Sequence, residues 1–144
     1  MKAVILAGGE ATRLRPLTYT TPKGLVPVLN QPFINLMLGH LRQYGVSEAI
    51  LALHYLPDKI KAYLRDGSPS GIVVSYAIEA HPLGTAGAVK NVASKLKDTF
   101  VVCNGDIVTD LDLSSALAFH RQKGAKAAIV LTPVHDARRY GKVE

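Results

Sequence analysis

The sequence of 144 residues contains a single cysteine, Cys103, and no tryptophan. One cysteine excludes a disulfide within the chain, and without a CxxC pair there is no cysteine-based metal site. Cys103 lies in an apolar run, which favours a small buried core residue over a reactive thiol. This sparing use of cysteine is typical of a reducing compartment, so we expect a cytoplasmic protein.

Long hydrophobic runs are also missing from the sequence. A membrane-spanning helix needs about 18 or more consecutive apolar residues, and no such stretch occurs. The first apolar segment, residues 3–6, is too short for a secretory signal and is followed at once by glycines and charges. We therefore expect neither a membrane span nor a membrane partner.

Acidic residues are fewer than basic ones, with 11 Asp and Glu against 17 Lys and Arg and a formal charge of +6. A basic balance favours anionic ligands. Nucleic-acid binding would call for a basic patch interleaved with aromatic side chains, and aromatics make up only 6% of the chain. We therefore expect a phosphorylated small molecule as the ligand and no nucleic acid.

Several common catalytic motifs are missing as well. The sequence has neither GxxxxGK[ST] nor GxGxxG, which argues against a P-loop NTPase and a dinucleotide dehydrogenase. Its five histidines form no HExxH pattern, and no GxSxG segment is present to supply a hydrolase nucleophile. The chemistry must therefore be sought in other residues.

Apolar runs and helical repeats alternate along the chain. The predicted strands are residues 3–6, 49–53, 72–78, 100–103 and 127–131, and the predicted helices are residues 33–44, 57–66, 85–97 and 114–123. This order is typical of an α/β protein with a Rossmann-like, mostly parallel sheet and helices on both faces. The length fits one domain, residues 1–144.

Three polar loops follow predicted strands, at residues 8–23, 79–84 and 104–106. Parallel sheets bind ligands in the crevice at the carboxyl ends of their strands. Since all three loops lie at such ends, we expect them to converge on one site.

The first loop combines two adjacent glycines, Gly8 and Gly9, with the cations Arg13, Arg15 and Lys23. Glycines leave backbone N–H groups open to a ligand, and guanidinium and ammonium groups add donors for phosphate oxygens. The glycines alone would indicate only a tight turn, and Arg15 alone fits a surface role equally well. Together these residues predict a polyphosphate site.

Asp106 follows the fourth predicted strand and a glycine. A carboxylate at that position is well placed to hold Mg²⁺, which keeps water ligands and binds phosphate oxygens. The alternative is a turn or cap residue, a role that suits Asp110 and Asp112 better because they precede a predicted helix. Opposite a polyphosphate loop, Asp106 is the better metal candidate.

Small residues dominate the segment 82–88, where a loop meets a predicted helix that Thr85 can cap. Small side chains allow a flat ring to lie against the backbone, so Gly84 is a candidate for contact with a nucleobase. Glu79 could accept hydrogen bonds from a purine edge such as guanine N1 and N2. The alternatives are close helix–sheet packing and a solvated acid.

These segments together resemble the sugar-phosphate nucleotidylyltransferases, also called nucleotide-sugar pyrophosphorylases. The family opens on a motif close to GGxGTRLxPLTxxxPK, which residues 8–18 and 21–23 match. The segments PLGTAG at 82–87, NGD at 104–106 and YG at 140–141 follow in the family's order. The chain looks most like the mannose-1-phosphate guanylyltransferase branch.

The resemblance implies the nucleotide-diphospho-sugar transferase fold, Mg²⁺ as cofactor and a homo-oligomer. It implies transfer of a nucleotidyl group from a nucleoside triphosphate, GTP favoured, to a sugar 1-phosphate, mannose 1-phosphate favoured, with release of pyrophosphate. The alternatives are a glucose-1-phosphate thymidylyl- or uridylyltransferase and a non-catalytic regulatory relative that binds nucleotide sugar.

The resemblance also implies roles for individual residues. Arg13 would hold the pyrophosphate, Lys23 would neutralise the α-phosphate, and Asp106 would hold the metal. The implied nucleotide-binding residues are Leu6, Ala7, Gly8, Gly9, Glu79, Pro82, Gly84 and Thr85.

The chain departs from the family pattern at two positions in the first loop. Ala11 stands where a glycine is usual, and Gly24 stands where a proline is usual. Family members also continue beyond the position of Glu144, with a further lysine for the sugar phosphate and a second metal aspartate. We therefore expect residues 1–144 to be the nucleotide-binding N-terminal part of such a domain, not active alone.

Overall fold

The computed structural model describes residues 1–67, 70–134 and 136, which fall into two compact units, 1–109 and 110–144. The elements of the first unit are β1 (Lys2–Leu6), β2 (Pro27–Val28), β3 (Gln31–Pro32), α1 (Phe33–Gln43), β4 (Glu48–Leu53), α2 (Pro57–Leu64), β5 (Val73–Ile78), α3 (Gly84–Asn91) and β6 (Phe100–Asn104). The second unit contains α4 (Leu113–Gln122). Within the described ranges, no helix has the length and apolarity to cross a bilayer.

The main sheet has four parallel strands in the order β5-β4-β1-β6. The chain runs outward from β1 to β4 and β5, and then crosses back to place β6 on the other side of β1. Since such crossovers are right-handed, α1 and α2 cover one face and α3 covers the other. The predicted parallel sheet with helices on both faces is confirmed. Its strand order reverses beside β1, where open sheets of this class bind ligands.

The two faces of the sheet carry separate parts of the core. Val4 and Ile50 pack with Val92 on the α3 side. On the α1 side, the sulfur atoms of Cys103 and Met37 are 3.9 Å apart. Cys103 is half-buried and not fully buried as predicted; this burial raises the pKa of its thiol to about 11, so the thiol stays protonated at neutral pH.

The second unit begins with a capped helix. The Asp112 side chain accepts hydrogen bonds from the backbone N–H groups of Ser114 (2.9 Å) and Ser115 (3.2 Å). Hydrogen bonds from Ser115 and Ser114 lower the pKa of Asp112, because they favour the ionised carboxylate. The predicted cap role of Asp112 is confirmed, and α4 begins one residue earlier than predicted, at Leu113.

The predicted fifth strand at residues 127–131 is wrong. These residues form no strand, and the side chains in the segment are exposed, Ile129 at 77%. A short apolar run becomes a strand only when its backbone finds a hydrogen-bonding neighbour, and in the part of the chain that is described this run has none. The predicted Tyr140-Gly141 match lies outside the described residues.

The helix that follows the second loop is shorter than predicted. It covers Gly84–Asn91 and is followed by a 3₁₀ turn at Ala93–Lys95. Val92 leaves helical geometry (φ −109°) and is only 2% exposed, because its side chain enters the core. Thr85 does not cap the helix as predicted: the cap position is Leu83, so Thr85 lies in the first turn.

Candidate functional site

The first loop is compact although it contains no long helix or strand. It leaves β1 at Leu6 and forms 3₁₀ turns at Thr12–Leu14, Leu17–Tyr19 and Lys23–Leu25. Thr18 is 1% exposed, and its hydroxyl donates a 3.0 Å hydrogen bond to the Ala11 carbonyl. This buried hydrogen bond therefore joins the second 3₁₀ turn to the residue that precedes the first one.

A cavity of about 280 Å³ opens at the carboxyl ends of the strands. Its lining residues are Leu6, Gly8, Gly9, Glu10, Ala52, His54, Glu79, Pro82, Gly84, Thr85, Ala88 and Asn104. The structure thus brings together every predicted nucleotide-binding residue except Ala7. The Ala7 N–H is instead directed to the Ala52 carbonyl at 3.0 Å, which extends the β1–β4 pairing by one bond.

A larger cavity, about 630 Å³, lies at the opposite, amino edge of the sheet. It is lined by the starts of β1, β4 and β6 and includes Lys2, Lys95 and Lys97. None of the predicted site residues faces it. Because sheets of this topology bind ligands at their carboxyl edge, the smaller cavity is the candidate site.

The glycines of the candidate site differ in what surrounds them. A Cβ atom at Gly8 would lie 3.3 Å from the His54 Cβ, so Gly8 allows close packing against the end of β4. A Cβ atom at Gly9 would meet nothing within 4 Å. Gly84 has a φ of +70°, which side chains rarely tolerate. Space beside Gly9 is therefore open to a ligand.

Glu79, in the loop after β5, is held by hydrogen bonds of both its carboxylate and its backbone N–H. It is 8% exposed, and its carboxylate accepts a 3.2 Å hydrogen bond from the Leu83 N–H. Its own N–H donates to the Leu53 carbonyl at 2.8 Å. These bonds position the loop that carries Gly84, a role that sequence reasoning missed. Base recognition by Glu79 stays a prediction.

His54 is a pocket residue that the sequence did not indicate. Its Nδ1 lies 2.8 Å from the Glu79 carbonyl oxygen, so Nδ1 carries the proton in this hydrogen bond. In the neutral tautomer with this proton, Nε2 is an acceptor. The available signal was its place directly after β4, but a lone histidine without a motif gave no reason to choose it.

The charged residues of the first and third loops meet beside the cavity. Lys23 Nζ lies 2.6 Å from Asp106 Oδ2, and the two side chains are 40% and 42% exposed. Arg15 pairs with Glu10 at 2.8 Å, whereas Arg13 is exposed and makes no hydrogen bond or ion pair with described residues. Exposed ion pairs contribute about 0–1 kcal/mol, so a phosphate ligand can separate Lys23 from Asp106 at little cost.

No group of three or more His, Cys, Asp or Glu side chains suited to a metal ion occurs among the described residues. Asp106 instead offers a single carboxylate at the rim of the candidate site. Mg²⁺ is commonly held by one or two carboxylates together with substrate phosphates and water. The donor set fits a metal that binds together with a phosphate ligand.

Ala11 shows why a glycine is usual at its position. It adopts a left-handed conformation, with φ 50° and ψ 49°, ahead of the first 3₁₀ turn. For a residue with a Cβ atom this geometry costs about 1–2 kcal/mol. A glycine avoids that cost, but it also makes the unfolded chain more flexible, and this offsets part of the gain in the free energy of unfolding. We expect Ala11→Gly to raise the free energy of unfolding by about 0.5–1 kcal/mol, measured by urea denaturation. An unchanged or lower value would contradict strain at this position.

Gly24, the second departure, is buried in the turn that carries Lys23. The turn is held by hydrogen bonds from Leu25 N to the Pro22 carbonyl (2.8 Å) and from Val26 N to the Lys23 carbonyl (3.1 Å). Lys23 therefore sits on a closed turn although the usual proline is missing.

Comparison with protein families agrees with the geometry. Residues 2–144 match the family model described as nucleotidyl transferase. The chain is 42% identical to a mannose-1-phosphate guanylyltransferase of Mycobacterium tuberculosis over 142 residues, which are 98% of this chain and 40% of that protein. It is 39% identical to a UTP–glucose-1-phosphate uridylyltransferase of Synechocystis, over 93% of this chain and 38% of that protein.

Solved structures of nucleotide-binding proteins match the fold of this chain. The fold matches HddC from Yersinia pseudotuberculosis complexed with GMP-PN with a TM-score of 0.74 and 35% identity, over 83% of this chain and 53% of that chain. A UDP-glucose pyrophosphorylase complexed with UDP-glucose matches in fold at a TM-score of 0.70. The chain thus spans about 40% of the length of these curated relatives and about half that of these solved structures.

Proposed function

Because the chain belongs to the nucleotidyl transferase family, we propose that it binds a nucleoside triphosphate and transfers its nucleotidyl group to a sugar 1-phosphate. GTP and mannose 1-phosphate are the favoured substrates. One observation carries the proposal: a cavity lined by Gly8, Gly9 and Gly84 lies at the carboxyl edge of the sheet. The first loop, which supplies two of these glycines, also carries Arg13 and Lys23.

The proposed reaction needs positioning and charge more than covalent help from the protein. An oxygen of the sugar phosphate attacks the α-phosphorus of the triphosphate, the bond from that phosphorus to the bridging oxygen breaks, and pyrophosphate leaves with the electron pair. Arg13, which is exposed and unpaired among described residues, would hold the leaving pyrophosphate. Lys23 would leave Asp106 and bind the α-phosphate, where its positive charge would offset the negative charge that develops during the transfer.

We place the nucleobase in the cavity between the first loop and the second loop, residues 79–84. Gly84 and Pro82 would lie against the ring, and Glu79 would accept hydrogen bonds from guanine. Asp106 would hold Mg²⁺, which supplies charge neutralisation on the phosphates when bound. A homo-oligomer and a cytoplasmic location stay predictions.

A uridylyltransferase is the second candidate. Its support is the Synechocystis relative, whose identity of 39% differs little from the 42% of the guanylyltransferase. The guanosine reading is favoured by the Yersinia structure, whose bound GMP-PN is by name a guanosine nucleotide.

The test is a substrate panel on the full-length protein. Pyrophosphate release is measured with GTP, ATP, UTP and dTTP, each paired with mannose 1-phosphate and glucose 1-phosphate. We expect the fastest release with GTP and mannose 1-phosphate. A clear preference for UTP or dTTP would favour the second candidate, and tight binding without any release would indicate the non-catalytic alternative.

A further inference from the structure

Tyr55 follows β4 and contacts the first loop at two places. Its backbone N–H donates to the Gly8 carbonyl at 3.3 Å. Its hydroxyl donates to the Thr18 carbonyl at 2.8 Å and shares the proton with the Tyr19 carbonyl at 3.1 Å. One residue therefore joins the start of the loop, through its backbone N–H, to a point ten residues further on, through its hydroxyl.

A second contact from the same part of the chain supports this arrangement. The Lys59 ammonium group, in the first turn of α2, donates to the Thr20 carbonyl. Tyr55 and Lys59 thus satisfy three successive carbonyls that the second 3₁₀ turn leaves without partners. Without these two side chains, the three carbonyls would depend on water for their hydrogen bonds.

The segment held in this way carries Gly9 and Arg13, the groups proposed to meet the phosphates. Two contacts fix the position of this segment. Gly8 packs against His54 at one end, and the Thr18 carbonyl accepts a hydrogen bond from the Tyr55 hydroxyl at the other. Phosphate donors are effective only when they are fixed where the charge develops. A donor outside the cavity can therefore control the phosphate site.

We infer that Tyr55 is a positioning residue that clamps the first loop in the conformation able to bind the triphosphate. The inference rests on the proposed function, because it assigns the phosphates to that loop. Tyr55 does not line the nucleobase cavity. Its effect should consequently fall on phosphate binding and leave base binding unchanged.

The experiment compares Tyr55→Phe with the matched variant Tyr63→Phe. Both remove one phenolic hydroxyl, but the Tyr63 hydroxyl accepts from Asn35 Nδ2 at 2.7 Å and has no contact with the loop. Amide hydrogen exchange of residues 9–20 is measured without ligand, and dissociation constants are measured for guanosine and for Mg²⁺ with a non-hydrolysable GTP analogue.

We expect Tyr55→Phe to speed amide exchange in residues 9–20 and to weaken binding of the GTP analogue about fivefold, the scale of one neutral hydrogen bond. We expect neither effect for Tyr63→Phe. Guanosine binding should not change. Unchanged exchange, or equal loss of guanosine and GTP-analogue binding, would overturn the inference. Faster exchange together with no nucleotide binding by the wild-type chain would support the clamp and overturn the proposed function.

Discussion

Replacement of Lys23 by alanine should lower turnover of the full-length protein by about 10²–10³-fold, the usual loss when one charge contact to a transition state is removed. The ammonium group is the cation nearest Asp106 in the structure, at 2.6 Å, and it is the group proposed to offset charge on the α-phosphate. Turnover is measured as pyrophosphate release under saturating substrates.

Lys61→Ala is the matched control for this experiment. Lys61 is also an exposed lysine paired with an aspartate, Asp58, at 3.1 Å, but it lies on α2 away from the cavity. Both variants lose one surface ion pair, so their free energies of unfolding should change by at most about 1 kcal/mol. Turnover of Lys23→Ala within a few-fold of the control would reject Lys23 as a catalytic group.

Arg13→Ala should lower turnover by a similar factor, about 10²–10³-fold, through loss of the guanidinium that holds pyrophosphate. Because Arg13 has no hydrogen bond or ion pair with described residues, its removal should leave the melting temperature unchanged. A loss of turnover in Arg13→Ala could therefore not be attributed to a loss of stability. For this reason Arg13→Ala tests catalysis more directly than Lys23→Ala does.

Arg15→Ala provides the comparison within the same loop. Arg15 pairs with Glu10 at 2.8 Å and lies 5.3 Å from the centre of the Tyr19 ring, so its charge is already engaged. We expect only a small loss of turnover for Arg15→Ala. Equal effects of the two substitutions would indicate a general basic surface and would remove the specific role of Arg13.

The sequence predicted the sheet because its signals are local. Continuous apolar runs of strand length and glycine-ended helical repeats indicated the parallel α/β order, and strands predicted at residues 49–53 and 100–103 appear at Glu48–Leu53 and Phe100–Asn104. The same signal gave a strand at 127–131 that the structure does not form. Strand pairing depends on a neighbour, and periodicity carries no information about one.

The candidate site was predictable to the extent that it depends on strand ends. Knowing that Gly8 and Gly84 follow parallel strands was enough to expect them at one edge. His54 and Tyr55 act through contacts with backbone carbonyls 25 and 36–37 residues away, and no sequence pattern reports such contacts. The sequence does not predict the Lys23–Asp106 pair either, since the two residues are 83 positions apart and each is a candidate for a different ligand.

We propose that the cavity at the carboxyl edge holds the base while the first loop holds the phosphates. The most direct test is a crystal structure of the chain with Mg²⁺ and a non-hydrolysable GTP analogue. We predict the guanine ring against Gly84, the phosphates within hydrogen-bonding distance of the Gly9 N–H and Arg13, and Lys23 separated from Asp106. A nucleotide bound elsewhere, or phosphates that leave the Lys23–Asp106 pair intact and Arg13 in solvent, would rule out this binding mode.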